Sequence, residues 1–160
     1  MITGGGELTL LGDAGSALSV GNDTISFNSL SKVRKLYLKN LSKLCDTNPF
    51  VTDKMPQNFL YIGLIFAAIP EAKVIHVQRD AAATCWSNFK HYFDVDGLGY
   101  SYDLNDTVRY FKLYENLMGF WDELYGDRIY QLNYDQLTIE QELETRKLFV
   151  HLDLGWEDAC

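Results

Sequence analysis

The segment AKVIHVQRDAAATCWSNFK, residues 72–90, brings together residue types that can bind an anion. Lys73–Val77 is short, apolar and β-branched, which predicts a buried strand of a parallel sheet. Ala81–Phe93 predicts a helix, so backbone N–H groups and a positive helix dipole lie at the end of that strand. Arg79 at the junction offers a planar fork of donors that suits phosphate. Ser87, about two helical turns along, can reach the same phosphate if its face of the helix lines the crevice.

Two further side chains follow predicted strands. Lys54 comes after Phe50–Asp53, and Tyr134 comes after Arg128–Asn133. Because ligands of open α/β sheets bind at the carboxyl ends of the strands, we expect Lys54, Arg79 and Tyr134 to converge on one edge. Lys54 also lies near a helix start, where a cation is disfavoured, and this predicts an anion beside it.

Predicted strands alternate with helices along the chain, which indicates an α/β fold with a parallel sheet and helices on both faces. The first 28 residues are rich in Gly, Ser and Thr, and they predict a short helix or strand at Glu7–Leu11 followed by a mobile loop to Asn28. We therefore expect one domain, with a loop-rich segment at 1–28 and an α/β core at 29–160. The predicted helices are Ser29–Cys45, Pro56–Ile69, Ala81–Phe93, Asp103–Tyr125 and Tyr134–Leu152.

Composition narrows the class of protein. A chain of 160 residues with 47% hydrophobic and 14% aromatic residues fits one globular domain and not a disordered segment. The net charge of −8 counts against a nucleic-acid partner, whose backbone demands a basic surface. An acidic protein can still bind a nucleotide, because that needs only a local cationic pocket.

The cysteines and the longest apolar run predict the compartment. Cys45, Cys85 and Cys160 are odd in number and lack the spacing of zinc ligands, so we expect reduced thiols and no metal. The run Phe59–Ile69 is too short to cross a bilayer, and no secretory signal opens the chain. These features predict a cytoplasmic protein that does not associate with membranes.

Several blocks of the sequence, taken in order, resemble sulfotransferases that use 3′-phosphoadenosine 5′-phosphosulfate (PAPS). They are similar to bacterial enzymes often fused to tetratricopeptide repeats, which are relatives of the tyrosylprotein sulfotransferases. Arg79 and Ser87 match the 3′-phosphate-binding segment, and TDKMPQNFLYIG at 52–63 matches the DKMPxNFLYIG block. The resemblance runs from about Gly4 to Cys160. The remaining matches are Gly6-Glu7-Leu8 to GEL, Asn133–Leu137 to xYExL and Leu154–Cys160 to LGxPWxxxC.

This resemblance implies a P-loop-NTPase-like, three-layer fold and a reaction. A sulfonate group would pass from PAPS to the hydroxyl of a small-molecule or peptide acceptor, leaving 3′-phosphoadenosine 5′-phosphate (PAP), without a metal. It implies Glu7 as the general base and Lys54 as the contact to the sulfonate and the bridging oxygen. Arg79 and Ser87 would hold the 3′-phosphate, and Tyr134 would contact the adenine.

The chain departs from the family pattern in two respects: these enzymes continue beyond the block that matches Leu154–Cys160, and the chain does not. Its 160 residues contain no strand and glycine-rich loop with an R-S-G-T-T sequence, the element that holds the 5′-phosphosulfate in these enzymes. We therefore expect a truncated domain that is inactive in isolation. We also expect it to self-associate into homo-oligomers. Two alternatives stay open: a non-catalytic nucleotide-binding or interaction fragment, and a small-molecule or nucleotide kinase. A kinase would carry a GxxxxGK[ST] loop, which the sequence lacks.

Each candidate residue also has an ordinary structural interpretation. Arg79 could be a surface arginine beside Asp80, and Tyr134 could be a partly buried core tyrosine. His76 alternates with apolar neighbours in the predicted strand, and the three histidines lack metal spacing. We therefore expect His76 to be a core histidine whose hydrogen bonds are satisfied.

Overall fold

The computed structural model describes residues 2–18, 26–43, 48–94 and 97–158. The chain forms two compact units, Met1–Ala72 and Lys73–Cys160. Each unit holds one pair of parallel strands accompanied by helices. The α/β class predicted from the sequence is therefore confirmed. The sequence predicted one parallel sheet. The strands of the described residues instead form two separate two-stranded sheets.

In the first unit, parallel pairing of β1 and β2 places Ile2 opposite Phe50 and Gly4 opposite Thr52. The helices supply the buried side chains, which include Leu11, Val33 and Phe66. A six-residue 3₁₀-helix begins at Pro56 and leads into α3, where the sequence predicted one continuous helix. The elements are β1 (Ile2–Gly4), α1 (Leu10–Leu18), α2 (Phe27–Leu41), β2 (Phe50–Thr52), the 3₁₀-helix Pro56–Tyr61 and α3 (Ile62–Ala68).

Helix α1 lies where the sequence predicted a loop. Its glycines lowered the helical signal, because glycine is a poor helix former. Tertiary packing overrides that preference: Leu11 and Ala14 are 3% and 1% exposed, and the ring of Tyr61 lies against Gly15. Of the rest of the predicted loop, residues 19–25 lie outside the described residues, and 26–28 form the cap and the start of α2.

In the second unit, β3 and β4 pair in parallel over five residues, from Val74 opposite Ile129 to Gln78 opposite Asn133. Asp80 and Asp103 cap the helices that follow them by accepting backbone hydrogen bonds. The elements are β3 (Val74–Gln78), α4 (Ala81–Lys90), a 3₁₀-helix at Gly99–Tyr102, α5 (Leu104–Tyr125), a 3₁₀-helix at Gly126–Arg128, β4 (Ile129–Asn133), α6 (Tyr134–Ile139) and α7 (Gln141–Leu152).

Helix boundaries differ from the sequence prediction at several places, among them the end of α2 at Leu41, four residues before the predicted Cys45. The predicted helix Tyr134–Leu152 is interrupted at Glu140, whose φ of −124° and ψ of 54° are not helical. Helix α4 ends at Lys90, three residues early. Helix α2 begins after Ser26, whose hydroxyl accepts a 3.2 Å hydrogen bond from the backbone N–H of Ser29.

Cys85 is buried as a free thiol, and burial raises its pKa. Cys45 and Cys160 lie outside the described residues. In the ranges that the structure covers, no helix combines the length and apolar character needed to cross a bilayer.

Candidate functional site

Glu7 and Lys54 form an ion pair in the first unit, although 47 positions separate them in the sequence. The Lys54 Nζ atom donates to Glu7 Oε1. The anion that the position of Lys54 predicted is therefore Glu7. The structure thus brings together the two residues that the sequence assigned to the reacting end of the site.

Backbone hydrogen bonds just beyond the carboxyl ends of β1 and β2 explain why Glu7 and Lys54 meet. Beyond the strands, the Gly5 N–H donates to Thr52 O at 2.8 Å and the Lys54 N–H donates to Gly6 O at 2.9 Å. A Cβ atom at Gly5 would lie 2.7 Å from Thr52 O, so only glycine permits this approach. Gly6 has a φ of +74°, which turns the chain so that Glu7 follows beside Lys54.

Asp53, the residue before Lys54, accepts a hydrogen bond at each of its two carboxylate oxygens. The Tyr37 hydroxyl donates to Asp53 Oδ2 at 3.0 Å, and the Asn58 amide donates to Asp53 Oδ1 at 3.2 Å. These bonds tie the segment after β2 to α2 and to the 3₁₀-helix. The Asp53 carboxylate thus positions the backbone from which Lys54 projects.

Both members of the pair are open to solvent. The Lys54 side chain is 68% exposed and that of Glu7 is 57% exposed. Exposed ion pairs contribute about 0–1 kcal/mol, so a ligand can replace either partner at low cost. A carboxylate here can accept a proton from a hydroxyl, and the ammonium can stabilise negative charge on a leaving group.

Arg79 and Tyr134 meet in the second unit. The Arg79 guanidinium lies 5.5 Å from the centre of the Tyr134 ring, within the range of a cation–π contact. Gln78 and Asn133 are paired at the ends of the two strands, so Arg79 and Tyr134 occupy the next position along each chain. Both side chains are partly exposed, at 47% and 42%.

Asp135 belongs to this cluster and was missed from the sequence. Its Oδ2 accepts a 3.2 Å hydrogen bond from the Asp80 N–H, and its Oδ1 lies 3.8 Å from Arg79 Nε. The contact aligns the guanidinium and links α6 to the start of α4. The available signal was an acidic residue directly after Tyr134, at the end of a strand predicted to run parallel to β3.

Ser87 lies apart from these contacts. It is half-buried on α4, seven positions after the cap residue Asp80, or about 10 Å along the helix axis. Among the described residues, no hydrogen bond joins its hydroxyl to Arg79. A shared phosphate would have to lie between the two side chains, and the role of Ser87 stays a prediction.

A polar cluster and a cavity adjoin Arg79. The His76 Nδ1 atom lies 2.7 Å from Gln131 Oε1, and His76 Nε2 forms a hydrogen bond with the Tyr114 hydroxyl. Burial lowers the pKa of His76, although the hydrogen bond to Gln131 and the charge of Asp122 oppose this effect. The predicted hydrogen bonding of His76 is confirmed, whereas its predicted core position is not, because the residue is only half-buried and lines a cavity. The cavity of about 420 Å³ is also lined by Gln78, Ala81, Phe111, Glu115, Met118 and Gly119.

Comparisons with known proteins identify the family. The model of the sulfotransferase family matches residues 20–158. An uncharacterized protein of Aquifex aeolicus (strain VF5) is 34% identical over 131 residues, a match that covers 81% of this chain and 17% of that protein. No solved structure matches the chain. Because the family model spans most of the sequence, the chain belongs to the sulfotransferase family.

Proposed function

We propose that the protein transfers a sulfonate group from PAPS to the hydroxyl of a small-molecule or peptide acceptor. Family membership supports the reaction type. The observation that carries the proposal is the exposed pair of Glu7 and Lys54, a carboxylate and an ammonium brought together from distant parts of the chain. Transfer of a sulfonate to a hydroxyl requires a base that takes the proton and a cation that stabilises the charge of the leaving group.

Glu7 is the general base in this proposal. Its carboxylate takes the proton from the acceptor hydroxyl as the acceptor oxygen bonds to the sulfur of PAPS. The bond from sulfur to the bridging oxygen breaks, and PAP leaves with the electron pair on its phosphate. Lys54 stabilises that developing charge, and its ion pair with Glu7 opens as the reactants bind.

Arg79, Ser87 and Tyr134 hold the nucleotide in this proposal. The Arg79 guanidinium binds the 3′-phosphate with two parallel hydrogen bonds. Its contact with Asp135 is long, at 3.8 Å, so its donors remain able to bind the phosphate. Tyr134 contacts the adenine, and Ser87 donates its hydroxyl to the same phosphate. We also propose the P-loop-NTPase-like arrangement for the complete domain, in keeping with the parallel direction of both strand pairs.

The choice of donor tests this function. The protein that carries this chain together with a 5′-phosphosulfate loop is incubated with sulfur-labelled PAPS or phosphorus-labelled ATP and a panel of phenols, alcohols and tyrosine peptides. We expect label to pass from PAPS, with one PAP released for each acceptor modified. Transfer from ATP alone would indicate a kinase. Binding of PAPS without transfer to any acceptor would favour a non-catalytic nucleotide-binding protein.

A further inference from the structure

Helix α5 has a second apolar face in addition to the one that packs in its own unit. Its core face buries Thr107 and Met118. The other face presents Leu113, Phe120 and Leu124, which are 66%, 49% and 54% exposed. At about 100° per residue, the two faces lie about 130° apart around the helix axis. The second face therefore leaves large apolar side chains open to solvent.

The spacing along this face is that of a surface on which two helices pair. Large apolar residues follow one another at intervals of four, three and four: Leu113, Leu117, Phe120 and Leu124. Alternating intervals of this kind average about 3.5 residues, the repeat at which the side chains of paired helices interdigitate. We call these four residues the α5 seam. Single exposed apolar residues are ordinary, whereas a continuous row at this repeat indicates that another helix packs there.

Polar residues beside the seam indicate which helix that is. Arg109, Asn116 and Glu123 follow one side of it at intervals of seven residues, and all three are exposed. When two copies of α5 pair in opposite directions around Asn116, Arg109 of each copy lies beside Glu123 of the other. Asn116 then faces its own counterpart, and an amide can both donate to and accept from another amide. The charges beside the seam are therefore complementary to those of a second copy.

The apolar residues match in the same register. Leu113 packs against Leu117 of the other copy, and Phe120 packs against Tyr110. Tyr110 is already fixed in place, because its ring stacks on that of Tyr100 with the centres 3.9 Å apart. One antiparallel arrangement thus satisfies both the apolar and the charged residues of this face.

We propose that α5 forms a homodimer interface, in which two copies of the chain pair their seams in opposite directions around Asn116. The same surface is used on both copies, so the contact closes on itself and assembly stops at the dimer. The sequence predicted self-association without a surface, and this proposal assigns it to a helix face. The residues proposed for sulfonate transfer and nucleotide binding lie on other elements, so the interface does not depend on the proposed function.

Light scattering during chromatography of the 160-residue chain, over a range of concentrations, measures the dimer. Leu113→Gln removes one leucine from each side of the interface and should weaken the dimer by about 100-fold or more. Val150→Gln is the matched control and should leave the dimer intact, because this 77% exposed apolar residue lies on α7. Circular dichroism confirms that both variants fold, as expected for changes at exposed positions.

Charge reversal tests the direction of pairing. Arg109→Glu alone, or Glu123→Arg alone, places like charges together twice in each dimer and should weaken it by about tenfold. The double variant restores two contacts between opposite charges and should recover the dimer. Lys112→Glu is the control, because this exposed lysine of α5 lies away from the seam.

Three results would overturn the proposal. The first is a monomer at every concentration, which would mean that a different partner covers the seam. The second is self-association that Leu113→Gln leaves unchanged, which would assign it to another surface such as a strand edge. The third is a loss in both single reversals of charge that the double variant does not recover, because two antiparallel copies of α5 require that recovery.

Discussion

Replacing Glu7 by glutamine is expected to reduce sulfonate transfer by roughly 10²–10⁴-fold, the usual contribution of a positioned general base. Glutamine keeps the size of the side chain and loses the group that takes the proton. The dissociation constant of PAP should change by no more than a few-fold, because Glu7 is not among the residues proposed to hold the nucleotide. Initial rates in a protein that carries this chain and a 5′-phosphosulfate loop measure the effect.

Lys54→Ala should reduce turnover by about 10²–10³-fold through a different cause, the loss of charge stabilisation on the leaving phosphate. The pH dependence separates the two variants. A general base gives the pH–rate profile an acidic limb, which Lys54→Ala should keep and Glu7→Gln should abolish. An unchanged profile in Glu7→Gln would assign the base to another residue.

The chain offers a matched control for this pair. Lys73 Nζ and Asp153 Oδ2 form another exposed ion pair, at 3.2 Å, with side chains 50% and 83% exposed. Lys73→Ala and Asp153→Asn remove the same charges at a place without a proposed role. Both should retain turnover. A comparable loss in the controls would attribute the effect of Lys54 and Glu7 to charge or stability.

Replacing Arg79 by alanine is expected to weaken PAP binding by about 10- to 100-fold, which corresponds to the loss of a charge-assisted hydrogen bond worth about 1.5–3 kcal/mol. Binding of 5′-AMP, which lacks the 3′-phosphate, should be nearly unaffected. Calorimetry with both nucleotides measures the difference. Arg109→Ala is the control, because this 79% exposed arginine carries the same charge on α5. An equal loss of affinity for PAP and 5′-AMP would show that Arg79 does not bind the 3′-phosphate.

Structural features that depend on neighbouring residues were predicted correctly from the sequence. The β-branched run before Arg79 forms β3, the helix predicted over Asp103–Tyr125 forms as α5 with Asp103 as its cap, and the segment at 50–52 is a strand. In each case neighbouring residues decide the structure, through side-chain branching or a cap within three positions. The presence of Arg79 and Tyr134 at strand ends followed from the same local signals.

Features that depend on distant contacts could not be predicted. The sequence indicated an anion near Lys54, but only the pairing of β1 with β2 identifies it as Glu7. The partners of His76 depend likewise on the register of β3 and β4. Helix α1 forms because its buried face packs in the first unit, which outweighs the poor helix preference of its glycines. Strand register and tertiary packing are set by the whole chain, so local patterns do not reveal them.

The central claim is that the site recognises a nucleotide by its 3′-phosphate. The most direct measurement is a titration of the 160-residue chain with PAP and with its 2′,5′-bisphosphate isomer, which has the same charge and the same adenine. We predict that PAP binds at least about tenfold more tightly than the isomer, because only its 3′-phosphate matches the geometry of the Arg79 guanidinium. Equal affinities for the two isomers would contradict it, since general electrostatic attraction would then explain the binding.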